Sequence, residues 1–182
     1  MTELTLLGLC GSLRRESFNR KLMNEAAQRF APAHFTEGDL RFPLFDGDLQ
    51  EEEGIPDSVE RLAAQIEAAD AVIIACPEYN KGLSGVMKNA LDWVSRVKGN
   101  PWRDKPVAIM SAAAGRAGGE RSQFSLRLCL NPFRPRVLPG PEVLVGNAKE
   151  HFDADGRLHT ESYFKPLDEL MGDLRRIAAG RL

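Results

Sequence analysis

Gly8-Leu9-Cys10-Gly11-Ser12-Leu13-Arg14-Arg15-Glu16-Ser17-Phe18-Asn19 is the stretch on which the reading of this chain turns. Leu4-Thr5-Leu6-Leu7 comes before it, a short apolar run of strand type. Leu22, Met23, Ala26 and Phe30 come after it at helical spacing. A buried strand therefore passes into a helix through a loop of small and hydroxyl residues. Backbone N–H groups of such a loop and the positive end of the helix dipole converge on one point and favour an anion there. Ser12, Ser17 and Asn19 add polar groups, Arg14 and Arg15 add charge, and the natural ligand is a phosphate. The spacing is neither the three-glycine dinucleotide fingerprint nor the Gly-Lys-Ser/Thr loop of triphosphate sites. Gly and Ser also serve ordinary turns and caps, so this loop by itself leaves the choice open.

Downstream, a weak strand pattern runs from His34 to Leu40, and Arg41 to Pro56 reads as a surface loop rich in acids, Pro and Gly. Asp57 with Glu60 has the spacing of a capping box, and Val59, Leu62, Ala63, Ile66 and Ala69 form an apolar helix face behind it. Asp70-Ala-Val-Ile-Ile-Ala-Cys76 is apolar without alternation, the mark of a strand covered on both faces. Pro77-Glu78-Tyr79-Asn80-Lys81-Gly82 forms a second loop, and a helix begins near Ser84 or Gly85. Pro106 to Ser111 is the next strand, followed by the Ala/Gly loop Ala112–Gly119 and a helix over about Glu120–Leu130. Arg136–Val145 is read as the last strand, with prolines suited to an edge or its lead-in. Leu167, Leu170, Met171, Leu174 and Ile177 define a final amphipathic helix.

Alternating strands and helices with right-handed crossovers predict one α/β domain over 1–182. Its expected architecture is a flavodoxin-like three-layer sandwich around a five-stranded parallel sheet in the order 2-1-3-4-5. Ligands of such sheets bind outside the carboxyl ends of the strands, where the loops after strands 1, 3 and 4 meet. The first of these loops offers a phosphate cradle. The second offers backbone groups, the Asn80 amide and the Tyr79 ring. The third is bare backbone that a flat ring can approach closely. A phosphate at one end and a planar heterocycle at the other describe a mononucleotide, and FMN fits best.

Gly11-Ser12-Leu13-Arg14 with Ser17 and Asn19, then Pro77-Glu78-Tyr79-Asn80, then Lys88-Asn89-Ala90-Leu91-Asp92-Trp93, resemble the NAD(P)H-dependent FMN reductase family, and within it the quinone, chromate and ferric reductases. The similarity spans nearly the whole chain. Lys81-Gly82-Leu83 and the all-alanine start of the third loop depart from the family's pattern and bear on acceptor preference. The resemblance implies that Ser12, Arg14, Ser17 and Asn19 hold the FMN phosphate. It implies that Pro77, Glu78, Tyr79 and Asn80 border the ring, with Ser111 and Gly115 by its other edge or the ribityl chain. Glu78 is read as shaping its loop rather than as a base, and no catalytic side chain is assigned. NADH or NADPH is the implied electron donor, small-molecule acceptors the implied partners, and a homodimer or dimer of dimers the implied assembly. Trp93 and Trp102 are read as available to an interface.

Net charge is −2 and no basic run is present, so nucleic acid is not an expected partner. No apolar stretch reaches the ~20 residues needed to span a bilayer, and the N-terminus lacks the pattern of a signal peptide. Cys10, Cys76 and Cys129 are odd in number and widely spaced, which favours free thiols in a cytoplasmic protein. Two rival readings share the fold. One is a flavodoxin-type electron carrier, for which −2 is a weak charge. The other is a reductase using FMN as a dissociable substrate.

Overall fold

Leu6 and Leu7 are neighbours on one strand, point to opposite faces, and are both buried. That pairing requires a sheet covered on both sides. In the computed structural model, which describes residues 3–180, β1 spans Thr5–Cys10. It lies between β2 (His34–Gly38) and β3 (Ala71–Ala75), parallel to each, with Leu6 opposite Phe35 and Ala71. β4 (Pro106–Ala112) runs parallel on the far side of β3. Beyond β4 lie two short segments, β5 (Arg136–Val137) beside its first half and β6 (Val143–Val145) beside its second. The order β2-β1-β3-β4-β5, with β6 also on β4, is the flavodoxin-like order expected from the alternation of elements.

Where the sequence reading expects one strand over 136–145, the structure has these two pieces. Pro139 and Pro141 lack the N–H that a ladder needs, and the chain leaves the sheet between β5 and β6.

One face of the sheet is covered by α1 (Phe18–Phe30) and α6 (Phe164–Ala178), whose Met23, Phe30, Leu170 and Leu174 share a core with Leu6 and Ile73. The other face is covered by α3 (Asp57–Ala68), α4 (Gly85–Val94) and α5 (Glu120–Leu130). Leu62, Ile66, Leu91 and Leu126 meet Leu7, Val72 and Ile74 there. Gly47–Glu53, read as loop, is a short helix α2. Asp46 caps it by accepting the Asp48 N–H at 2.9 Å, and none of its residues is buried, so it carries no apolar period. Asp57 does not act as a cap. Pro56, at φ −58°, carries the chain into the helix one residue earlier, and no side-chain cap bond forms. Asp57 and Glu60 instead occupy the first turn, where their charge suits the dipole.

Trp93 and Trp102 belong to the core of the α3–α5 layer, at 0% and 1% exposure, and are not available to an interface. The Trp93 indole N–H donates to the Pro43 carbonyl at 2.8 Å, pinning the 41–46 loop over α4. All three cysteines are free thiols, with Cys10 and Cys76 buried. Among the described residues no helix is long and apolar enough to cross a membrane.

Candidate active site

Parallel strands share one carboxyl edge, so the loops after β1, β3 and β4 emerge side by side. The register shows it: Cys10 lies opposite Ala75, and Ala75 opposite Met110. The three loops enclose a cleft of about 410 Å³, a size ordinary for small-molecule sites.

From the first loop, Ser12, Arg14, Ser17 and Asn19 all line the cleft. Ser12 Oγ accepts the Arg14 N–H at 3.4 Å, and Ser17 Oγ caps α1 by accepting the Arg20 N–H at 3.3 Å. The N–H groups of Leu13 and Arg15 meet no acceptor among the described residues. Beneath them Cys10 Sγ donates to the Ser12 carbonyl at 3.5 Å. Burial raises the Cys10 pKa, so this thiol stays neutral and places no negative charge under an anion site. Asn19 spends its amide on β4: Nδ2 donates to the Ala112 carbonyl at 2.8 Å and Oδ1 accepts the Ala112 N–H at 3.0 Å. It therefore lines the cleft and ties the first loop to the third.

Pro77, Glu78 and Tyr79 line the cleft from the second loop. Glu78 Oε2 accepts the Arg121 N–H at 3.1 Å, binding this loop to the start of α5 as a loop-shaping residue does. Tyr79 is half exposed, at 51%. Tyr79 and Gly82 exchange two backbone bonds of 3.1 Å, while Asn80 and Lys81 have φ of 50° and 66°. These are the marks of a type I′ turn. Asn80 sits at its tip and does not line the cleft.

The third loop supplies Ala112, Ala113, Ala114, Gly115 and Ala117–Gly119. A Cβ added to Gly115 would meet nothing within 4 Å, so there is open room above this backbone. Gly118 is different: its φ is +63° and a Cβ would fall 2.6 Å from the Leu144 carbonyl carbon, so only glycine fits. Ser111 is fully buried below the loop rather than in the cleft wall. Its hydroxyl donates to the Gly118 carbonyl at 2.7 Å and accepts Gln123 Nε2 at 2.9 Å.

Three residues of the region had no role assigned from the sequence. Glu16 lines the cleft and pairs with Lys21 at 3.3 Å; Phe18 lines it too and packs on Phe152, ring centroids 5.7 Å apart. Gln123 props up Ser111 and also donates to the Val143 carbonyl at 3.0 Å. Its signal was available: a polar residue on the apolar stripe it shares with Leu126 and Leu130.

One end of the cleft thus has hydroxyls, a helix start and an arginine, on a loop with two N–H groups that meet no acceptor among the described residues, and the other has accessible bare backbone. The residues present fit FMN, phosphate to the first end and ring to the second.

Comparison with known proteins bears on the family. Residues 4–150 match the family described as NADPH-dependent FMN reductase. The NAD(P)H-dependent FMN reductase of Pseudomonas aeruginosa is 42% identical over 158 residues, covering 86% of this chain and 85% of that one. The quinone reductase of Escherichia coli is 40% identical over 155 residues, covering 83% and 82%. Among solved structures, the flavoenzyme NAD(P)H:(acceptor) oxidoreductase of Paracoccus denitrificans superposes with a TM-score of 0.85 at 31% identity, covering 98% of each chain. Sheet order, converging loops and sequence identity lead to one conclusion: the chain belongs to the NADPH-dependent FMN reductase family.

Proposed function

We propose that this cleft holds FMN and that the chain is an NAD(P)H-dependent oxidoreductase reducing quinones and related small acceptors, among them chromate, ferric complexes, free flavin and azo compounds. The observation that carries the reading is the meeting of three loops of different chemistry around one cleft. Bound FMN supplies the hydride-accepting and hydride-donating chemistry. The chain supplies position. Ser12, Ser17 and the N–H groups of Leu13 and Arg15 receive the phosphate, and Arg14 on the rim balances its charge. Pro77, Glu78 and Tyr79 border one side of the ring, and the backbone from Ala112 to Gly119 borders the other. Asn19 and Ser111 set the spacing of the loops, and Asn80 acts through the turn it closes. No side-chain acid or base is required, so no catalytic residue is assigned. One open cleft admits donor and acceptor in turn, a ping-pong order.

Assembly is part of the same proposal. Leu44, Phe124 and Leu128 are 82%, 55% and 70% exposed. They lie on the loop pinned over α4 and on the neighbouring α5, and their exposure supports this layer as the surface for a second copy.

The protein, reconstituted with FMN and passed through gel filtration, is expected to elute yellow and to oxidise NADH or NADPH when a quinone is present. A colourless protein that also fails to take up added FMN overturns the reading. Loss of FMN on the column with activity restored by free FMN favours the dissociable-substrate form instead.

A further inference from the structure

We infer that Arg20 is a positioning residue for the phosphate end of the cleft: it does not reach into the cleft itself but turns the first loop's N–H groups toward the anion from behind. The inference rests on the proposal that the cleft holds FMN. Arg20 does not line that cleft. It lines a separate hollow of about 310 Å³ together with Cys10 and Glu37. Its guanidinium makes three bonds at once. Nη1 donates to the Arg14 carbonyl at 2.7 Å, Nη2 to the Ser12 carbonyl at 3.3 Å, and Nε to Glu37 Oε1 at 2.7 Å. Glu37 lies in β2, so the arginine straps the loop to the edge strand of the sheet.

The peptide bond gives this strap a consequence. A trans peptide aims its N–H opposite its C=O. Drawing the Ser12 and Arg14 carbonyls to Arg20 turns the N–H groups of Leu13 and Arg15 the other way. Those are the N–H groups that meet no acceptor among the described residues. The Cys10 thiol holds the same Ser12 carbonyl from below. With the strap gone, either peptide is free to flip and present a carbonyl's partial negative charge to the phosphate. A lysine does not replace the arginine, because one ammonium cannot reach two carbonyls and a carboxylate with the planar fork that spans them here.

The test compares wild type, Arg20→Lys and Arg20→Met as full-length, flavin-free protein, each titrated with FMN and with riboflavin, which lacks the phosphate. Wild type is expected to prefer FMN. Both variants are expected to lose about tenfold or more of that preference, with riboflavin affinity within about twofold of wild type. An Arg20→Lys protein that keeps the full preference overturns the inference, since charge alone then suffices. Equal loss of both flavins in the two variants also overturns it, because Arg20 then supports the fold and not the cradle. A wild type that binds riboflavin as tightly as FMN strikes at the phosphate placement itself, and the role of Arg20 falls with it.

Discussion

Asn19 faces two ways: its place in the cleft suggests a phosphate ligand, and its bonds make it a clamp. Both amide atoms are engaged by the backbone of Ala112, 93 residues away, in a site where Asn19 and Ala112 are each at least 96% buried. Truncation to Ala leaves the Ala112 N–H and C=O unpaired and away from water, a loss of about 2 kcal/mol or more. Asn19→Ala is therefore expected to lower the urea midpoint and to weaken FMN and riboflavin alike, because the first and third loops drift apart as a whole. Asn19→Asp keeps the acceptor for the Ala112 N–H and should recover part of the stability. A variant with wild-type stability and a selective loss of FMN over riboflavin assigns Asn19 to the phosphate instead. The Ser-x-Asn spacing shows that Asn19 stands at the start of a helix beside an anion loop. It does not show the partner, since that bond depends on how β4 lies beside α1 in space.

At the scale of elements, the second loop is a rigid two-residue turn rather than a flexible flap. Asn80 and Lys81 both hold positive φ, a conformation that costs most residues about 1–2 kcal/mol and that Asn tolerates better than others. If Asn80 serves the cleft through this turn, glycine replaces it. Asn80→Gly is expected to bind FMN within about twofold of wild type, while the β-branched Asn80→Val loses both FMN affinity and thermal stability. A large loss in Asn80→Gly, measured by the same flavin titration, returns the amide to a direct role at the ring. Elements with a strong apolar period were legible: α3, α4, α6 and the central strands lie close to where the periodicity puts them. Those without one were not. α2 has no fully buried residue and is held by the Asp46 cap and by Gln50, whose side-chain oxygen accepts the Arg96 Nε–H at 2.9 Å. The split of the last strand into β5 and β6 follows from two prolines whose effect on a ladder depends on which neighbour each residue faces.

At the scale of the whole molecule, the sheet order and the meeting of three loops were readable because parallel strands place all their carboxyl ends on one edge. The surface is harder to read, since an apolar residue in a sequence carries no sign of whether a core or a partner receives it. Trp93 and Trp102 went to the core, and Leu44, Phe124 and Leu128 stayed outside. Phe124 and Leu128 are one helical turn apart on α5, the helix whose first turn also receives Glu78 from the second loop. On the proposed assembly, a partner docked on this face would lie close to the cleft and link assembly to cofactor binding. Replacing both residues by Glu adds charge to an exposed face and removes nothing from the core, so the fold should persist. The Phe124→Glu/Leu128→Glu protein is expected to sediment as a monomer where wild type sediments as a dimer or larger. Its FMN affinity should fall, and dilution of wild type should produce the same fall as the assembly dissociates. Unchanged sedimentation of the double variant moves the interface to another face; a wild type that is monomeric at all concentrations removes the assembly from the proposal and leaves the cleft to work alone.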